Sequence, residues 1–464
     1  KVALDGSAPV ALCDAPDGRG GAWTAAGTIL FAPNNSGPLW RVSEAGGEAV
    51  QVTRPDTTAR EFGQRYPHLL PDGRHFLYIS IRPSDRHTVC LGDLRDGRTR
   101  PLFVSLSAAR YARGFLLTNE EGRVMARRFD AQRLAVSGDP QLVVEGAEQD
   151  NIGYDNLAVD GRGALAFQRV APRPARLLWL GKDGSLAPSA WGRLPQIGYP
   201  SLTPDGGRLV YQTRDPLDLW VYEGDGAAPV RLTFDDHVIN SFVISADGRR
   251  VALARQLGSG GYELRVKPLD GSGPETPLYR GPALFTLPAA WSPDGQWIVA
   301  LVSDATGSFD FWLVPASGAG EPRVFERTPS QEYAGGVSPD GRWLAYAAIE
   351  QEKVAVYLVS FPTPSVKYQL ALTEPIVPFV VWSRDGRQLR MMNHRNQVLG
   401  VDLQLDPTFR QGATRTLFTL PASSTPVGLS ADESRLLLAR TEPGGEPDAL
   451  EVTIGWNEAV GGGR

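Results

Sequence analysis

The stretch Val337-Ser338-Pro339-Asp340-Gly341-Arg342-Trp343-Leu344-Ala345-Tyr346 decides the fold. Pro339 presets φ for the first corner of a tight turn, Asp340 can bond its own backbone, and Gly341 supplies the positive φ that closes a hairpin. The apolar Trp343–Tyr346 run after the turn reads as a short strand, and Ala355-Val356-Tyr357-Leu358, about ten residues on, as a third. The same unit recurs at Leu202-Thr203-Pro204-Asp205-Gly206, Ile244-Ser245-Ala246-Asp247-Gly248, Trp291-Ser292-Pro293-Asp294-Gly295 and Trp382-Ser383-Arg384-Asp385-Gly386. A last copy, Leu429-Ser430-Ala431-Asp432, lacks the glycine, and Leu70-Pro71-Asp72-Gly73-Arg74 and Val159-Asp160-Gly161-Arg162 lie upstream. The aspartates at 160, 205, 247, 294, 340, 385 and 432 are spaced by 45, 42, 47, 46, 45 and 47 residues. A degenerate unit at Tyr111–Thr118 fills the gap between Asp72 and Asp160, and Trp23–Phe31 begins another copy.

A fourth strand, such as Val230-Arg231-Leu232-Thr233, follows a second Gly-rich turn in each unit. Four short strands per ~40–45 residues is the arithmetic of a β-propeller blade. The predicted class is therefore all-β, with tandem propellers of four-stranded blades. A single closed ring of ten blades is disfavoured, because propellers typically close with four to eight. The expected division is an N-terminal propeller over residues 1–174, holding a half unit and four blades, and a six-bladed ring over 175–464. The segment Val170–Gly198, which contains Ala171-Pro172-Arg173-Pro174, reads as the junction, and the strand around Leu178 closes one ring or the other. The chain opens on Lys1-Val2-Ala3-Leu4-Asp5-Gly6, which reads as the end of a strand, so the first ring is expected to be truncated.

Composition agrees with a turn-rich globular chain: 51 Gly and 37 Pro among 464 residues, 42% hydrophobic, 11 Trp. The net charge of −5 leaves no basic footprint for nucleic acid, and no apolar run reaches the ~18 residues of a membrane span. Two cysteines, Cys13 and Cys90, can form at most one bridge and no Cys-based zinc site. The repeated tryptophans, Trp220, Trp291, Trp297, Trp312, Trp343 and Trp382, are expected between blades, where large aromatics fill splayed sheets.

The Ser-Pro-Asp-Gly-Arg repeat resembles the TolB-like, WD-like repeats of bacterial propellers. Gly20-Gly21-Ala22-Trp23 with Ile29–Pro33, Arg41–Glu48, Leu69–Tyr78 and the ending Val452–Glu458 are similar to a narrower group. These are the C-terminal propellers of bacterial serine/threonine protein kinases of the eukaryotic-like type. In that family a kinase domain and a transmembrane helix precede the propellers. The resemblance implies an extracytoplasmic (periplasmic or cell-surface) sensor or scaffold that binds a protein, peptide or small ligand. No kinase chemistry carries over, since the chain has no Val-Ala-x-Lys, His-Arg-Asp or Asp-Phe-Gly motif.

Tests for other chemistry point the same way. Leu257-Gly258-Ser259-Gly260-Gly261 lacks the spacing of a nucleophile elbow, and the five histidines show no metal-ligand spacing. No catalytic residue, metal site or cofactor is expected. The densest polar loop is Thr233–Asn240, joining one blade to the next, where Asp235, Asp236, His237 and Asn240 could line a polar funnel or simply brace a turn. Arg65, Tyr66 and His68 form a second candidate group. The leading expectation is a non-catalytic binding propeller. The alternatives are a free periplasmic TolB-like interaction propeller and a propeller hydrolase or lyase with a polar channel site.

Overall fold

The computed structural model describes the chain except residues 4–7, 16, 57, 59–60, 83–86, 121, 149–156, 170–173, 195–196, 214–217, 225, 235–238, 258–260, 282–284, 304–308, 328–330, 351–352, 373, 443–448 and 462–464, and the side chains of 197, 240, 331, 334, 378, 449, 459 and 461. The fold is all-β and of propeller type. Among the described residues the strands form antiparallel sheets that are four-stranded with one exception, and there is a single short helix, Trp456–Gly461. No helix among them is long and apolar enough to cross a membrane.

Each repeated turn is held by its own side chains. Ser338 Oγ donates to Asp340 Oδ1 at 2.5 Å and accepts the Trp343 N–H at 2.9 Å, while Asp340 Oδ1 accepts the Arg342 N–H at 3.1 Å. The same hydroxyl-to-carboxylate bond closes the turns at Thr203, Ser245, Ser292, Ser383 and Ser430. This explains why the position two before the aspartate is Ser or Thr: the hydroxyl is buried, and it needs both a donor and an acceptor. Gly341 has φ 73°, as the turn requires.

The chain divides into two compact units, Pro172–Pro443 and a unit made of Lys1–Ala171 with Gly444–Arg464. The first unit has sheets over residues 21–51, 63–105 and 110–145, and a three-stranded sheet of Leu157–Val159, Ala164–Arg169 and Ala449–Ile454. Three apolar cores join them in series, around Leu30 and Tyr78, around Leu77 and Leu116, and around Leu117 and Phe167.

The second unit has five sheets over residues 197–231, 239–280, 286–326, 331–369 and 376–419. A further sheet takes strands from both ends of the unit, in the order Leu186–Leu194, Ala175–Gly181, Arg435–Thr441, Ser424–Leu429. Apolar cores lie between successive sheets all the way round, and the core holding Leu177, Tyr211 and Leu437 completes the cycle. Second strands are consequently covered on both faces, as in Trp297–Ser303, where every residue after Trp297 is buried. Trp291 is buried in one such core, and Trp220, Trp297, Trp312, Trp343 and Trp382 pack against these cores partly buried.

The expected grouping of 175–464 into one ring differs from this arrangement at its end. Ala449–Ile454 pairs with Ala164–Arg169, from Ala164 opposite Ile454 to Arg169 opposite Ala449. Trp456 then buries its indole edge-on to Phe115, with ring centroids 5.8 Å apart. The third strand that the last repeat lacks is Ala175–Gly181, pairing with Arg435–Thr441. The strand around Leu178 thus belongs to the second unit.

Candidate functional site

Of the loop that the sequence singled out, Asp235, Asp236 and His237 lie outside the described residues. Asn240 is the extra residue of a bulge in Ile239–Ile244, between the Ile239–Arg255 and Ser241–Ala254 pairs, and its side chain is not described. The loop's entry is well defined. Thr233 is buried, and its Oγ1 accepts the Leu219 N–H at 3.0 Å and donates to Asp218 Oδ1 at 2.7 Å. Asp218, 1% exposed, also receives the Arg231 guanidinium, which sits 5.3 Å over the Phe234 ring. Thr53 repeats this latch in the first unit, taking the Leu39 N–H at 2.9 Å and donating to Gln64. The threonine therefore ends a fourth strand and fixes where the next loop starts. Phe234, one residue on, stands 69% exposed.

Beside it opens a cleft of about 330 Å³ between neighbouring sheets. Leu232, Phe234 and Pro274 give it apolar walls, and Arg255, Arg265, Lys267 and Glu275 give it charge. Arg255 pairs with Glu275 at 2.6 Å, and Arg265 reaches both Glu263 and, at 3.1 Å, Glu275. Lys267 Nζ donates to the Gly273 carbonyl at 3.1 Å. Three cations thus face two carboxylates. Guanidinium groups stay protonated at any ordinary pH, so they orient and bind carboxylate or phosphate rather than shuttle protons. Sequence reading missed these residues. The available clue was alternation in Tyr262–Pro268, where Tyr262, Leu264 and Val266 are buried while Glu263, Arg265 and Lys267 share the other face.

The second group lies on the Gly63–Leu69 strand, where Tyr66 and Pro67 form a bulge between the Arg65–Ile79 and His68–Leu77 pairs. Tyr199 and Pro200 form the same bulge in the second unit. Both tyrosines have positive φ, 53° and 46°, but Tyr66 is 6% exposed and Tyr199 64%. Tyr66 packs over Gly20, and its N–H bonds the Arg19 carbonyl at 2.9 Å. Arg65 is buried with Nε on the Asn35 carbonyl at 2.8 Å. Arg65 and Tyr66 are therefore tied into the sheet, not presented to solvent.

Burial, and then the positive charge of Arg110, push the His68 imidazole down to about 4. The folded state thus favours the neutral ring, whereas the unfolded chain takes up a proton near pH 6.5. His68 stabilises the fold above pH 6.5, and that contribution is lost as pH falls towards 4. The full shift corresponds to ~3 kcal/mol; His68 is partly exposed, so about 1–2 kcal/mol is expected. Urea unfolding at pH 7.0 and 4.5 should show this loss in the native chain and a smaller one in His68→Gln. Equal losses in both would remove His68 as the cause.

Both cysteines are free, and burial pushes the Cys90 thiol up to about 11. Among the described residues, no three His, Cys, Asp or Glu side chains group closely enough to hold a metal ion.

No known family profile matches this chain, and no curated protein matches it in sequence. Solved structures do. A TolB-like protein of Agrobacterium tumefaciens is 17% identical with a TM-score of 0.47, over 59% of this chain and 100% of its own. TolB from Acinetobacter baumannii is 14% identical with a TM-score of 0.39, over 72% and 79% respectively. The tricorn protease is 10% identical with a TM-score of 0.35, over 89% and 54%. Likeness at this level concerns fold alone.

Proposed function

We propose that this chain is a protein-binding propeller module without chemistry of its own, the extracytoplasmic sensor or scaffold part of a bacterial serine/threonine protein kinase. The observation that carries the binding role is the cleft beside Thr233. An exposed aromatic stands next to fixed guanidinium groups, a combination enriched at the centres of protein interfaces. Its guanidinium groups are held by Glu263 and Glu275, and Lys267 by the Gly273 carbonyl, which suits recognition of a surface better than turnover of a substrate. The kinase assignment rests on the sequence resemblance of residues 20–23, 29–33, 41–48, 69–78 and 452–458.

A photo-crosslinker placed at Phe234 tests the binding role in cells of the source bacterium. The expected result is one discrete protein adduct that Lys267→Glu weakens severalfold. Absence of any adduct, or an adduct indifferent to Lys267→Glu, would overturn the cleft as the binding face. The coding sequence before Lys1 tests the kinase reading separately. A kinase domain with a transmembrane helix supports it; a signal peptide alone favours a free periplasmic propeller.

A further inference from the structure

Charge is unevenly compensated inside the cleft beside Thr233. Glu275 pairs with Arg255 at 2.6 Å and with Arg265 at 3.1 Å, and Glu263 takes a second contact from Arg265. Arg265 also donates to the Glu275 carbonyl at 3.3 Å. These four side chains are between 9% and 23% exposed. Stripping a carboxylate from either guanidinium would therefore strand a partly buried charge, which is costly.

Lys267 stands apart from this network. It lies on the same face of Tyr262–Pro268 as Glu263 and Arg265, yet its Nζ donates to the Gly273 carbonyl and pairs with no carboxylate among the described residues. The carbonyl holds the ammonium in place without neutralising it. An ammonium has three donors, so two remain for a guest. Three cations against two carboxylates leave one positive charge, and it is localised at Lys267. Leu232, Phe234 and Pro274 line the same cleft, and Phe234 is largely exposed. At about 330 Å³ the space is at the small end of the range for ligand pockets.

We infer that the cleft receives one Asp or Glu carboxylate, next to an apolar side chain, from an acidic-apolar segment of a partner protein. This rests on the cleft being the binding face, as proposed above. The carboxylate meets the Lys267 ammonium, and the apolar neighbour lies against Phe234, Leu232 and Pro274. One uncompensated cation matches one anionic charge. A phosphate group brings about −1.5 to −2 and is met best by a guanidinium fork, but both forks here already hold carboxylates. A basic segment would meet like charge.

Fluorescein-labelled peptides test this by anisotropy with the whole chain. The probes are Gly-Ser-Leu-Glu-Leu-Ser-Gly and two forms with glutamine or phosphoserine in place of the glutamate. The glutamate peptide should bind about fivefold tighter than the glutamine form and at least as tightly as the phosphoserine form. Lys267→Gln should abolish the preference for glutamate over glutamine and Lys267→Arg should keep it, both with unchanged far-UV circular dichroism. Equal binding of the glutamate and glutamine peptides, tighter binding of the phosphoserine peptide, or a preference that survives Lys267→Gln would overturn the inference. So would no binding of any peptide. A Lys267-dependent adduct at Phe234 would in those cases keep the cleft as the binding face and remove only its acidic guest, whereas absence of an adduct removes both.

Discussion

Replacing Trp456 with alanine is expected to destabilise the first unit by about 3–5 kcal/mol, the usual cost of deleting a buried aromatic. Trp456 is 3% exposed and packs with Phe115, Leu165 and Phe167 in the core that the last strand completes. Its Nε1 is buried without an acceptor, so its worth comes from packing rather than from a hydrogen bond. Trp456→Phe should accordingly cost much less. The effect should be local. Amide exchange should accelerate in Phe115–Glu120 and Ala164–Arg169 while Trp343–Glu350 of the second unit keeps its protection. Acceleration in Trp343–Glu350 instead would place residues 444–464 energetically with the second unit.

The next largest effect is expected at the one repeated turn that lost its glycine. Glu433 occupies the position held elsewhere by Gly206, Gly248, Gly295, Gly341 and Gly386, and it keeps the positive φ, 56°. That conformation is unfavourable for a residue with a side chain. The compensation is a link to the neighbouring sheet. Glu433 Oε1 accepts from Arg390 at 2.9 Å and from the Arg384 N–H at 2.9 Å, and Oε2 accepts from Arg390 at 2.6 Å. With the side chains 8% and 20% exposed, Arg390→Leu strands a partly buried carboxylate and should cost about 2–4 kcal/mol in urea unfolding. The double variant Arg390→Leu/Glu433→Gly should regain most of this, because glycine suits the backbone and no charge is left unpaired. If the double variant were as unstable as the single one, the ion pair would not be the cause. Burial pushes the Glu433 carboxyl up, but the bonds from Arg390 and the Arg384 N–H outweigh it and hold the group below its ordinary range. The contribution is thus present above pH ~4.5 and is lost as pH falls below it.

What could be read from the sequence was what is local. Ser-Pro-Asp-Gly-Arg encodes a turn within five residues, and the apolar run after it encodes a strand flanked on both faces, so the repeat announced sheets wherever it occurred. Pairing at a distance left no such mark. Ala449–Ile454 alternates like any strand, and nothing in its residues names Ala164–Arg169 as its neighbour rather than Arg435–Thr441. The cleft was hidden for a related reason: Phe234, Arg255, Arg265 and Glu275 meet only once strands of two sheets are aligned. As polar and aromatic residues, Arg65 and Tyr66 form a candidate group in the sequence. In the fold they brace a bulge, an outcome that burial decides and residue type does not.

Because Pro172–Pro443 interrupts the other unit between Ala164–Arg169 and Ala449–Ile454, a ribosome must deliver roughly 270 residues before the first unit receives its last strand. At about 5–20 residues per second that is a wait on the order of 15–50 s. During it the strands of the second unit emerge in turn, its closing pair Ser424–Leu429 and Arg435–Thr441 only shortly before Ala449–Ile454, while Phe167 and Leu165 have their outer neighbour still to come. The earliest strands made thus wait longest for the partner that completes their core.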